Sequence, residues 1–180
     1  MRVAVFLMLL FTLSHGLNNI SFSNDQLEIF SDIFSNWAHP CQRSLNNNAY
    51  NQFKHRHILS RQFNTSSRRD WADYLNRTKL CGRATFQSFL QKNDTSSIKR
   101  VCNGRGVRDT QNLCISKRRF TVYIVQSALR NRRCEVKRPH TNEFYVTVAC
   151  EVIQNRCLPV HYQRQTHTEP PRDGPTCRPR

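Results

Sequence analysis

Acidic residues are scarce in this chain. Twelve Asp and Glu stand against 28 Lys and Arg over 180 residues, a formal charge of +16. The cations cannot all be neutralised internally, so such a balance speaks of anionic partners rather than of fold. Long apolar runs are also missing beyond the N-terminus, where Val3 to Leu13 is too short to cross a bilayer. No C-x2-C pair occurs among the eight cysteines, which excludes the commonest zinc spacings and predicts no metal and no cofactor. Internal repeats are absent, so solenoid architectures are excluded.

What is present points outward from the cell. Arg2, the apolar stretch and Ser14-His15-Gly16 read as a signal peptide over residues 1–16, predicting a secreted, extracellular protein. The eight cysteines (41, 81, 102, 114, 134, 150, 157 and 177) all lie beyond it and permit four disulfides. Sequons at Asn19, Asn64, Asn76 and Asn93 fit an exported glycoprotein. Basic residues cluster at Arg68-Arg69, Lys99-Arg100, Lys117-Arg118-Arg119, Arg130 with Arg132-Arg133, and Lys137-Arg138. RNA, sulfated glycans and anionic membrane surfaces are the expected classes of partner, and the chain is expected to be a monomer.

Residues 17–45 read as an N-terminal extension. Within it Ser23-Asn24-Asp25-Gln26 forms a capping box ahead of Leu27, Ile29, Phe30, Ile33, Phe34 and Trp37 at helical spacing. Helices are then predicted over 48–59, 67–77 and 94–102. Strand patterns follow around Phe120 to Ile124, then over 133–137, 144–151 and 158–163, with a hairpin turn at Asn155-Arg156. Residues 46–163 thus make one α+β domain, and 164–180, rich in Pro and Arg, a flexible tail.

Two histidines carry the chemistry. His57 lies in Gln52-Phe53-Lys54-His55-Arg56-His57, and His161 in Pro159-Val160-His161-Tyr162. Imidazole is the side chain whose ordinary pKa suits proton transfer near neutrality. These contexts, with Ser97 to Cys102, Asn112 to Lys117, Phe120-Thr121-Val122 and Val148 to Glu151, resemble the pancreatic-type ribonuclease superfamily, in particular its angiogenin-like branch, over roughly 110 positions.

The resemblance implies three core helices packed on a V-shaped antiparallel sheet, with the N-terminal helix added. It implies His57 and His161 as general base and acid in RNA cleavage through a 2′,3′-cyclic phosphate. It also implies bridges Cys81–Cys134 and Cys102–Cys150. One further family bridge is missing, and its positions fall on Trp71 and Val125, both apolar. The remaining cysteines are expected to pair as Cys114–Cys157 and Cys41–Cys177, with exchange of partners among the four left open.

The central motif departs from the family. The chain reads Cys81-Gly82-Arg83-Ala84-Thr85-Phe86, one residue shorter and without the lysine that follows the cysteine. Arg83, Lys79 and Arg56 are the candidate replacements. Thr85 and Tyr162 are the candidate substrate-binding residues. A weakened ribonuclease is therefore expected. The alternative is a non-catalytic cationic host-defence or signalling protein on the same scaffold.

Overall fold

The computed structural model describes residues 39–178. The predicted signal and the N-terminal amphipathic helix lie outside them. Among the described residues three α-helices form: α1 (Ala49–His57), α2 (Arg68–Arg77) and α3 (Thr95–Arg100), which runs into a π-type turn over Val101–Arg105. Ser67 caps α2 by accepting from the Asp70 amide, and Asp70 sits in the first turn, where the helix dipole favours an acid.

Among the described residues eight strands form: β1 (Gln42–Arg43), ahead of α1, β2 (Phe86–Leu90), between α2 and α3, and then β3 (Gly106–Arg108), β4 (Leu113–Ser116), β5 (Phe120–Arg130), β6 (Arg133–Val136), β7 (His140–Ile153) and β8 (Arg156–Thr166). All pairings are antiparallel except the short β1–β7 contact. The long β7 belongs to two arms. Its first residues pair with β5, which carries β2 and β6; its remainder pairs with β4 and β8. Two hairpins close through paired left-handed residues, Asn131-Arg132 and Gln154-Asn155, the pattern of a type I′ turn. The second lies one residue earlier than the Asn155-Arg156 read from sequence.

Period-2 alternation splits the β2–β5 arm into two faces. Gln87, Phe89, Tyr123 and Val125 point to α2; there Trp71, Tyr74, Leu75 and Leu80 complete a cluster edged by Phe63. Leu90, Val122 and Phe120 point the other way, to Phe53 of α1 and Ile98 of α3. Trp71 and Val125, the positions where the resemblance implies an absent bridge, are both fully buried in the first cluster. Trp71 meets Phe63, Phe89 and Tyr123 at ring-centroid distances of 4.9, 5.3 and 6.0 Å, and its Nε1 donates to the Thr65 carbonyl at 2.8 Å.

Four disulfides form. Cys81–Cys134 and Cys102–Cys150 are as the resemblance implies. The other two correct the expectation: the pairs are Cys41–Cys157 and Cys114–Cys177, not Cys114–Cys157 and Cys41–Cys177. The reason lies in the two ends. The Cys41 amide donates to the Cys150 carbonyl and β1 pairs with Glu151 and Val152 of β7, which sets Cys41 beside the β7–β8 hairpin and Cys157. The C-terminal segment instead crosses β3, where Thr176 bridges Val107 and Arg108 donates to the Pro175 carbonyl, so Cys177 meets Cys114 on neighbouring β4. The segment predicted as a flexible tail therefore begins as the end of β8, through Thr166, and finishes tied to the sheet.

Candidate active site

Helix α1 starts where the Asn46 carbonyl and side chain accept from the Ala49 and Asn48 amides. Phe53, 1% exposed, anchors its inner face. His57 is one turn further on, so burial of Phe53 delivers His57 to the helix end over β2. The ring centroids are 5.6 Å apart. Four basic residues, Lys54 to His57, occupy the last turn, where the dipole favours cations.

His57 Nδ1 lies 3.0 Å from the Ser88 carbonyl. A carbonyl oxygen only accepts, so this nitrogen carries the proton and Nε2 keeps its lone pair for an incoming proton. Tyr162 stacks on the ring at 5.2 Å and 20°. The Tyr162 hydroxyl is buried beside Ser88 without completing a hydrogen bond, and burial pushes its pKa well up. Burial also lowers the His57 pKa, to about 4; the Ser88 bond opposes this, while the charges of Arg83, His161 and Arg56 add to it.

His161 lies on β8 next to Tyr162, and its charge is among those acting on His57. The pairing of β8 with β7 slips on either side of it, leaving Val160 and Gln163 as extra residues around the His161–Ala149 and Tyr162–Val148 pairs. Such bulges re-aim side chains. His161 is exposed, while Tyr162 is buried against His57.

The replacements for the missing lysine separate. Arg83 and Arg56 both act on His57, and the Arg83 pKa is lowered by its partial burial and by Arg56. Lys79 is not among the charges acting on His57. It is exposed beyond the end of α2 with a left-handed backbone. Gly82, where the resemblance would put the family lysine, has φ +68°, and a Cβ there would lie 3.0 Å from the Leu129 backbone nitrogen. No lysine fits that backbone without a shift.

Thr85 is exposed, its carbonyl accepting from the Ser127 amide. Three residues on, Ser88 stands closer to the histidine. Its carbonyl holds His57 and its hydroxyl donates to Gln165 Oε1 at 3.3 Å. Phe89 is fully buried whereas Phe86 is 62% exposed. Ser88-Phe89 repeats the hydroxyl–Phe pair of Thr85-Phe86; Ser88 holds the histidine through its carbonyl, while Phe89 points to the α2 cluster. Sequence reasoning missed Ser88 and Gln165. The duplicated pair was the available signal, and buried Gln87 between its copies masked the alternation.

A group of three sulfurs, Cys102, Cys150 and Cys157, lies close together, but all three are in disulfides and offer no thiolate to a metal.

No family model matches the sequence, and no curated protein matches it. Among solved structures the fold is similar to that of a green turtle egg-white ribonuclease, at TM-score 0.54 and 22% identity over 66% of this chain and 98% of that one. The chain therefore has the ribonuclease-type α+β fold. Four disulfides fit an oxidising compartment. No helix among the described residues is long and apolar enough to cross a membrane.

Proposed function

We propose that this chain is a secreted, monomeric ribonuclease of the pancreatic type, with reduced activity. The observation that carries the reading is the tautomer of His57: Nδ1 is held by a backbone carbonyl, and Nε2 is left as a base within the electrostatic reach of a second histidine. His57 Nε2 takes the proton of a ribose 2′-hydroxyl. The freed oxygen attacks phosphorus, a 2′,3′-cyclic phosphate forms, and His161 protonates the departing 5′-oxygen. Hydrolysis of the cyclic ester reverses the two roles. Charge gathers on the phosphoryl oxygens during attack, and Arg83 is the cation assigned to it. Thr85 and Ser88 are the hydroxyls available to a base edge, and Tyr162 orders the histidine by stacking.

Two features reduce the rate. A base of pKa about 4 has little proton affinity, and a guanidinium replaces a compact ammonium that Gly82 leaves no room for. The same features favour a second reading, a non-catalytic cationic host-defence or signalling protein. A fluorogenic RNA assay on refolded protein separates the readings. Cleavage that disappears in both His57→Ala and His161→Ala supports the ribonuclease. Wild-type turnover no higher than either variant's supports the binding protein.

A further inference from the structure

A second cationic site lies away from the histidines. A cleft of about 300 Å³ opens between α3, the Val101–Arg105 turn and the β4–β5 connection. Arg100, Arg105, Lys117 and Arg118 line it, all exposed. Of these four, only Arg118 has a carboxylate partner among the described residues, Asp94 at 2.7 Å. None of these cations is among the charges acting on His57. Phe120, at the cleft, lies four residues along β5 from Ile124, the partner of Ser88. At 3.3 Å per residue that is about 13 Å.

The cations are held together by a stiff frame. Gly106 pairs with Ser116, and the Lys117 amide donates to the Arg105 carbonyl, so two like charges are tied through their backbones. Asn103 Nδ2 donates to the Lys99 and Cys157 carbonyls, and Gly104 donates to the Cys177 carbonyl. Cys102–Cys150 and Cys114–Cys177 flank this frame. Like charges fixed in proximity without counter-charges cost stability, and a polyanion removes that cost.

We propose that this cleft binds a sulfated polysaccharide. The choice over RNA rests on its floor. Phe120, the one aromatic lining residue, is 2% exposed and covered by the Arg118 guanidinium at 4.4 Å, so a nucleobase has no ring to stack on. The site offers closely spaced cations to sulfate groups and no aromatic face to a base. It is independent of whether the histidines cleave RNA.

The test uses a heparin-derived octasaccharide, its desulfated counterpart, and an uncleavable all-deoxy oligonucleotide, titrated by calorimetry into the full chain. The variants are Arg105→Ala/Lys117→Ala and, as a control for loss of charge alone, Arg132→Ala/Arg133→Ala in the β5–β6 hairpin. Thermal unfolding verifies that both fold. The cleft variant is expected to bind the octasaccharide about tenfold more weakly, with a salt slope shallower by about 1.5 to 2, and to bind the oligonucleotide as wild type does. The desulfated sugar is expected not to bind. Equal weakening by the control variant, or unchanged octasaccharide affinity in the cleft variant, overturns the proposal. An equal loss for the oligonucleotide also overturns it and makes the cleft part of an RNA path.

Discussion

The two faces of the β2–β5 arm are stabilised by different means. Toward α2, five aromatic rings (Phe63, Trp71, Tyr74, Phe89 and Tyr123) close on one another, and one disulfide, Cys81–Cys134, lies at the margin. Toward α1, six cysteines are packed in or against the core, and Phe53 on that face lies 5.6 Å from the His57 ring. The aromatic face covers the positions of the absent bridge with Trp71 and Val125. The face that bears the site has covalent ties instead, and can accommodate a buried unpartnered tyrosine hydroxyl and a desolvated imidazole beside cations. Packing serves where nothing else is asked of the surface; cross-links serve where polar groups must stay exposed to a ligand.

Breaking each face tests that division. Removing the Cys41–Cys157 bridge by Cys41→Ser/Cys157→Ser should have the largest effect. It closes a separation of 116 residues, for which chain entropy gives about 4.8 kcal/mol. Denaturant unfolding measures this. Trp71→Ala should cost about 3–5 kcal/mol by the same measurement, with the His57 titration unchanged. A displaced His57 pKa in that variant would show the faces to be coupled.

Much of this was legible beforehand. The three core helices and strands β5 to β8 follow from periodicity and resemblance. Strands β2, β3 and β4 did not stand out: β2 buries Gln87 rather than an apolar side chain, and β3 is three residues long. The partners of Cys41 and Cys177 depended on where two irregular ends cross the sheet, which no spacing encodes. The place of Lys79 was also hidden, because a left-handed residue follows no propensity pattern.

Arg83→Ala sharpens the site's side of the comparison. Turnover of RNA should fall by about 10²–10³ with stability unchanged, and the His57 pKa should rise as a neighbouring positive charge is removed. Gly82→Lys should not restore the family's rate. It should cost about 1–2 kcal/mol for a side chain on a left-handed backbone pressed against Leu129, read as a lower unfolding midpoint.

The smallest effect concerns protons. His57 has a folded pKa of about 4, below its ordinary value of 6.5. Between these values the unfolded chain binds more protons than the folded one, so this group's contribution to stability is lost as pH falls through that window. The acid limb of kcat/KM should lie near the lower value. Saturating inorganic phosphate should raise the pKa, as seen by NMR titration of the ring, because an anion at Arg83 favours the imidazolium. A limb near 6.5 would mean that His57 is far more solvated than its stacking on Tyr162 implies.

The C-terminal tether also sets a timetable. Cys41 and Cys114 find their partners only at Cys157 and Cys177, near the end of the chain. Ribosomes add about 5–20 residues per second, so Cys41 waits roughly 6 to 23 seconds as a free thiol for the 116 residues to follow. In that interval Cys81, Cys102, Cys114, Cys134 and Cys150 all emerge. The order of emergence favours wrong partners, and β1's short hold on β7 arises only once β7 exists. Maturation of this protein is therefore a problem of thiol traffic, and its yield in a cell should follow the supply of disulfide isomerase more closely than the strength of its core.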